Sequence, residues 1–275
     1  MSDHEYSVAV LLPTRGRTTA LHRSIISLFN RTVKDEKEVE IIIGFDNDDT
    51  ESYAFFEKEI EPWLDNKNVN YTVMKFDRLG YGKLEQYINA LAKQSDADWL
   101  FVWNDDAIME TTGWNKKITA YNGQFKLLSV RTHRDHPNSI FPIIPRAWYD
   151  IKGYYSPHQL IDTWLSQIAY FLNIFERTDV YVTHDRYDLT GNNKDNTFAD
   201  PDRRSREGNP ADPADFNHPS WNAKRMADLE DVAAYLRANG GDLTFWDNVK
   251  AGKQDPFEVM RKNDPNKMMN IHGPR

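Results

Sequence analysis

The sequence predicts an α/β fold, a mostly parallel central sheet flanked by helices and followed by a C-terminal extension of loop and helix. Three observations predict it. Short, β-branched, continuously apolar runs alternate with segments whose apolar residues recur at helical spacing, the pattern of a parallel sheet covered on both faces. Two of those runs end abruptly in acidic clusters, and the connection rules for such sheets bring both to one edge. From about residue 187 the aliphatic residues thin out in favour of Asn, Asp, Pro, Arg and Gly, before an amphipathic stretch returns near residue 222.

Ser7-Val-Ala-Val-Leu-Leu-Pro13 reads as a strand buried on both faces, stopped by the loop Thr14-Arg-Gly-Arg17. Leu21, Ile25, Leu28 and Phe29 then mark a helix over about 18–30. Val39 to Phe45 is a second buried strand ending in Asp46-Asn-Asp-Asp-Thr50, with a helix expected over 51–64 and Pro62 near its end. Val69 to Phe76 is a third strand, Leu84 to Ala92 a helix, and Asp98 to Trp103 a fourth strand that runs into Asn104-Asp105-Asp106. A helix near 113–121 and strands near 125–130 and 139–144 follow, the latter two joined by a cationic loop bearing Arg131, His133, Arg134 and His136. A helix over about 160–173 presents Leu160, Trp164, Ile168, Phe171 and Leu172, and Asp179 to Thr183 is a last strand before His184. The segment from about 187 to 219 reads as an extended polar loop or partly disordered segment, in which Arg203, Arg204 and Arg206 are candidates for a lid over phosphates. Met226, Leu229, Val232, Ala233 and Leu236 mark a helix over about 222–239, ended by Gly240-Gly241. This divides the chain into a main domain, 1–187, and an extension, 188–275.

With 275 residues, 40% of them hydrophobic, the chain has material for a sizeable core. Its 8 Trp, 13 Tyr and 14 Phe suit core packing, and Trp103, Trp114, Trp148 and Trp164 are also candidates for stacking on sugar rings. A net charge of −8 gives no global attraction to nucleic acid or an anionic membrane. The lack of cysteine excludes disulfides, thiolate metal sites and cysteine nucleophiles. No run approaches the roughly 20 apolar residues of a membrane helix, and the first residues lack the features of a signal peptide, so a soluble, cytoplasmic protein is expected. There is no Walker loop, no complete Gly-x-Gly-x-x-Gly after a strand, no Gly-x-Ser-x-Gly elbow and no His-Glu-x-x-His helix.

The candidate chemistry lies at the strand ends. Asp105 and Asp106 are hard oxygen ligands suited to Mg²⁺ or Mn²⁺, and an imidazole such as His184 is compatible with Mn²⁺. A divalent cation held there would neutralise a diphosphate as its charge grows. The same acidic pair would also serve simply to cap a turn.

Four segments, in order, carry a resemblance: Val-Ala-Val-Leu-Leu-Pro-Thr-Arg-Gly-Arg17, Ile-Ile-Ile-Gly-Phe-Asp-Asn-Asp-Asp-Thr50, Gly80-Tyr-Gly-Lys-Leu-Glu-Gln-Tyr-Ile-Asn-Ala90 and Trp-Leu-Phe-Val-Trp-Asn-Asp-Asp106. Residues 8 to about 185 resemble a family 2-type glycosyltransferase of the GT-A fold, virus-encoded members included. The resemblance implies a UDP-sugar or other nucleotide-sugar donor and Mn²⁺ or Mg²⁺ as cofactor. It implies nucleoside contacts from Pro13, Thr14, Arg17 and Asp46, with Asp48 in competition, and a stretch over the nucleotide that includes Gly80 and Lys83. Asn104-Asp105-Asp106 takes the place of the family's DXD motif, with Asn at its first position. Asp106 is then the expected metal ligand, Asp105 a ribose or second metal contact, and His184 a third ligand. Asp162, at a helix start, corresponds to the general base of an inverting transfer; facing solvent, it would point to a retaining mechanism instead. The location expected of a viral member is the host cytoplasm.

The sequence leaves rivals: a nucleotidyltransferase, whose Gly-rich opening loop is lacking here, and a GT-A-like protein that binds nucleotide sugar without turnover. A modified DNA base is an alternative acceptor, against which the acidic net charge counts.

Overall fold

The computed structural model describes residues 5–35, 37–132, 136–185, 215–258 and 261. His133 and Arg134 of the cationic loop, and Arg203, Arg204 and Arg206, lie outside the described residues, as does most of the polar segment. The first half is built as β1 (Tyr6–Thr14), α1 (Thr18–Asn30), β2 (Glu38–Asp46), α2 (Thr50–Phe55), α3 (Glu61–Asn66), β3 (Asn70–Phe76), α4 (Leu84–Ala92) and β4 (Trp99–Val102). Then come β5 (Ala107–Met109), α5 (Trp114–Thr119), β6 (Leu127–Arg131), β7 (Ile143–Pro145), α6 (Arg146–Lys152), α7 (Ile161–Leu172), β8 (Phe175–His184), α8 (Pro219–Ala238) and α9 (Thr244–Lys250).

The eight strands lie in the order β3-β2-β1-β4-β7-β6-β8-β5. β3, β2, β1 and β4 are parallel neighbours, β7 is antiparallel to both β4 and β6, β8 is parallel to β6, and β5 closes the order antiparallel to β8. Strand side chains alternate between faces, so each continuous apolar run feeds two cores. Ala9, Leu11, Ile42, Leu100 and Val102 join one core with residues of α4, α7 and α8. Val8, Val10, Leu12, Ile41, Ile43 and Phe101 join the other with Leu21, Ile25 and Leu28 of α1 and with Trp114 and Ile118 of α5. That double burial is why these strands carry no polar alternation in sequence.

The residues after 215 share the first core: Leu229, Val232, Ala233 and Leu236 of α8, and Trp246 of α9, cluster with Trp148 and Trp164. Asp228, 2% exposed, fastens α8 to α6 and α7. It accepts from Tyr154 Oη at 2.6 Å and Trp164 Nε1 at 3.1 Å, and pairs with Lys152 at 3.0 Å. A buried carboxylate persists because donors surround it in this way. Met226, expected on the buried stripe, is 36% exposed, and Arg225 and Asp228 take buried positions instead.

Several boundaries differ from expectation. The helix expected over 51–64 is interrupted by a π-helical turn, Phe56–Ile60, which buries Phe56 and Ile60 together. Pro62 follows directly on that turn, in α3, near the end of the helical run at Asn66. β8 begins at Phe175, four residues before the expected strand, and β7 has three residues. β5 and α6 were not expected, being too short to display a period. Trp103, Trp114, Trp148 and Trp164 are at most 2% exposed, so all four are core residues and offer no face to a sugar. Among the described residues, no helix is long and apolar enough to cross a membrane.

Candidate active site

The carboxyl ends of β1, β2, β4 and β8 open on one edge of the sheet, and these ends carry Thr14, Asp46, Asn104-Asp105-Asp106 and His184. Parallel pairing of β1 with β2 and β4 brings the first three sets together. His184 joins them through β5, which turns back from Asp106 and pairs Ala107 opposite His184. The Asp185 backbone N–H donates to the Asp106 carbonyl at 2.8 Å, fixing the two strand ends side by side.

Around the end of β4 two buried carboxylates, Asp105 at 6% and Asp106 at 5% exposure, stand next to each other. Arg17 Nη1 donates to Asp105 Oδ1 at 2.8 Å and to Asp106 Oδ2 at 3.2 Å, and Thr14 Oγ1 donates to Asp105 Oδ2 at 2.8 Å. Asp106 Oδ1 lies 3.2 Å from His184 Nε2 but makes no hydrogen bond. Burial pushes the Asp105 carboxyl up to about 6, with the Asp106 charge adding to the rise and Arg17 and Thr14 opposing it. Burial also disfavours the Asp106 anion, yet His184 and Arg17 outweigh it and hold that carboxyl below the usual range. The two neighbours are thus driven apart by which one has the larger share of cationic contacts.

A folded-state pKa raised from 3.8 to about 6 has a consequence for stability. Ionising Asp105 costs the folded state progressively as pH rises from about 4 to about 6, and the whole cost, on the order of 3 kcal/mol, applies above that. Asp105→Asn removes the titration. Its unfolding free energy relative to the parent is therefore expected to improve by up to that amount between pH 4 and pH 7. Urea denaturation in chelator at both pH values measures it, and an unchanged difference would refute the assignment.

The second cluster centres on Asp46, which is 6% exposed. Its Oδ1 accepts from Tyr87 Oη and its Oδ2 from Arg15 Nη1 at 3.0 Å. Arg15 also grips the exposed Asp48 with both terminal nitrogens, Nη2 to Oδ2 at 3.0 Å. Tyr87 in turn accepts the Leu79 N–H at 2.8 Å, tying Asp46 to the loop before Gly80. Gly80 has φ +79° and ψ 168°, a conformation reserved to glycine, and opens the 3₁₀ turn Tyr81–Lys83, on which Lys83 is exposed. Pro13 sits within β1 opposite Gly44.

Asp162 lies in the first turn of α7, half-buried, with Thr163 Oγ1 donating to its Oδ1 at 3.3 Å. Burial raises its pKa, opposed chiefly by the Thr163 backbone N–H and by His136. A side chain added at Gly82 would come within 3.5 Å of Gln159 Oε1, so the loop before α7 runs beside the 3₁₀ turn at this edge. Arg131 lies 3.7 Å from Asp179 and over the Tyr181 ring.

Sequence reasoning did not single out Arg15, Tyr87, Arg23 or Asp185. Arg15 was hidden by Arg17 two residues on, and Tyr87 reads as an ordinary apolar-face residue of its helix. Asp185, 4% exposed, is held by Arg23 Nη2 at 2.5 Å; its position directly after His184 was the available signal.

A divalent cation fits the Asp106–His184 pair in one respect. Adjacent ligands about 2.1 Å from an octahedral ion are roughly 3 Å apart, close to the 3.2 Å between Asp106 Oδ1 and His184 Nε2. Asp106 Oδ1 is moreover a buried oxygen without a hydrogen bond. Among the described residues, no three His, Asp or Glu side chains are grouped as a complete cage, so a cation here would draw its remaining ligands from water or from a bound phosphate. A groove of about 730 Å³ opens at the opposite edge, beside Ser7, Asp98 and Arg146; Lys37 and Asp98 pair there at 3.0 Å.

No protein-family model matches the chain, and no curated protein matches it in sequence. Solved structures do match it in fold. One is the mannosyltransferase PcManGT from Pyrobaculum calidifontis, in complex with GDP-Man and Mn²⁺, at 12% identity over 95% of this chain and 84% of that one, with a TM-score of 0.55. Another is S. aureus TarS 1–349 in complex with UDP, at 16% identity over 64% of this chain and 60% of that one, with a TM-score of 0.51. The chain thus spans less than two-thirds of that TarS fragment. The likeness is one of fold, and the chain has the GT-A-type α/β fold.

Proposed function

We propose that the chain is a metal-dependent glycosyltransferase of the family 2 type, which moves a sugar from a nucleotide sugar, by preference a UDP-sugar, to a hydroxyl acceptor. The observation that carries this reading is the meeting of Asp46, Asp105, Asp106 and His184, from the ends of β2, β4 and β8, on one edge of a GT-A-type sheet. Such edges are where α/β sheets bind ligands. The GDP-Man and Mn²⁺ of PcManGT and the UDP of TarS support a nucleotide donor and a divalent ion.

In this reading Asp46 accepts hydrogen bonds from the nucleoside, its orientation held by Tyr87 and Arg15, with Pro13, Thr14 and Asp48 lining the same pocket. Gly80 and Lys83 cover the nucleotide from the 3₁₀ turn. Asp106 and His184, with Asp105 beside them, would hold Mn²⁺ or Mg²⁺, its remaining ligands coming from water or the diphosphate, and the ion would supply positive charge against the departing diphosphate. Asp162 takes the proton of the acceptor hydroxyl, as its raised pKa and position at the edge suit it to do. Residues 1–187 form the donor-binding and catalytic part, and the extension, 188–275, is assigned to the acceptor site, its residues 188–214 and 262–275 lying outside the described residues.

The test is thermal unfolding with a panel of nucleotides and nucleotide sugars, each with Mn²⁺ and with chelator. A donor at a hundred times its Kd adds about 2.7 kcal/mol, expected as a rise of roughly 5 °C in Tm. A rise with one nucleotide sugar that requires Mn²⁺ supports the reading and names the donor. No rise with any nucleotide overturns it, and a rise without turnover would leave a binding protein.

A further inference from the structure

Arg17 occupies the carboxylates that the proposed metal would use. Its Nη1 bridges Asp105 Oδ1 and Asp106 Oδ2, at 2.8 and 3.2 Å, in a largely buried position where the Arg17 side chain is 19% exposed. With Thr14 on Asp105 Oδ2, three of the four carboxylate oxygens are already engaged, and Asp106 Oδ1 beside His184 is left. A guanidinium and a divalent cation cannot share this pair without strong mutual repulsion, because the site has two negative charges for three positive ones and little water to screen them.

Arg17 is also the residue from which α1 starts. Its carbonyl accepts the first intrahelical bond, from Leu21 N–H at 2.9 Å, and no side chain caps the first turn of the helix. An anionic group that drew the guanidinium off the carboxylates would therefore meet positive helix-end potential on the same loop. A diphosphate is such a group, and guanidinium binds it through paired hydrogen bonds.

On the reading that the site binds a nucleotide diphosphate and a divalent ion, we infer that Arg17 is the resident counter-cation of Asp105 and Asp106 and yields them to the metal only when a donor diphosphate takes it over. Arg17 is then a positioning residue that makes metal affinity depend on donor. The coupling is reciprocal: whatever factor the diphosphate adds to metal affinity, the metal adds to diphosphate affinity.

The test is Mn²⁺ binding without nucleotide, followed by electron paramagnetic resonance of the unbound ion, in the full chain and in Arg17→Gln. The parent is expected to bind Mn²⁺ weakly and Arg17→Gln at least ten-fold more tightly, with less further gain on adding UDP or GDP than the parent shows. Thermal unfolding checks that the variant is folded. Should Arg17→Gln not fold, Arg17→Lys, whose shorter stem holds the two carboxylates less closely, is expected to tighten Mn²⁺ binding by several-fold. Equal Mn²⁺ affinity in parent and variant, with binding enhanced by nucleotide in both, overturns the inference and leaves the metal reading intact. No Mn²⁺ binding by either protein, with or without nucleotide, overturns both.

Discussion

Asp106→Asn is expected to reduce sugar transfer by at least about 10³-fold, the largest effect of any single change at this edge. The amide preserves the shape of the side chain, so the strand end and its backbone bond to Asp185 remain. What it removes is the negative charge that faces both Arg17 and His184, at 3.2 Å each. Under the proposed function that charge holds the divalent ion, and losing several kcal/mol of charge stabilisation in the transition state corresponds to three or more orders of magnitude in rate. The measurement is kcat/KM for transfer from the donor identified by thermal unfolding. Turnover within ten-fold of the parent would remove Asp106 from the centre of the reaction. Loss of the folded state instead of the rate would mark it as a structural counter-charge to Arg17.

Asp162→Asn is the second large effect, a fall of about 10²–10⁴-fold in kcat with donor affinity unchanged, the span typical of a general base. Two features of the fold make the residue suitable. It sits in the first turn of α7, beside the loop that approaches the 3₁₀ turn, and burial raises its pKa, which strengthens it as a base. A base with a raised pKa is protonated at low pH, so kcat of the parent is expected to climb as pH rises through that pKa, and the climb is expected to vanish in Asp162→Asn. A kcat within three-fold of the parent, with the pH dependence retained, would transfer the role to another group or to a retaining mechanism.

These expectations rest on features of unequal legibility. The β1-to-β4 half of the sheet is written in the sequence because its strands are buried on both faces, which leaves continuous β-branched runs, and because each run stops at a polar cluster. The helices α1, α4 and α7 announce themselves by period for the same reason: one face is dry and one is wet. Asp46, Asp105 and Asp106 are the polar residues that interrupt such runs, and the rules of parallel sheets put them on one edge.

The pairing of particular side chains was another matter. Arg15 and Arg17 are equivalent in a list of loop residues, and only the folded loop assigns the first to Asp46 and Asp48 and the second to Asp105 and Asp106. Tyr87 meets Asp46 across 41 positions, a contact that depends on how α4 rotates against β2. The approach of His184 to Asp106 is decided by β5, a three-residue strand with no periodic signature, whose register against β8 sets Ala107 opposite His184.

By itself, then, the sequence determined the α/β class, the parallel half-sheet and the acidic strand ends, since burial and backbone geometry act on residues close together in the chain. Tertiary structure alone decided which cation sits on which carboxylate, that four tryptophans are core, and that α8 shares the main core through Leu229, Val232 and Asp228. The physical reason is the same in each case. Those outcomes depend on the register and rotation of elements distant in sequence, and short-range pattern holds no record of either.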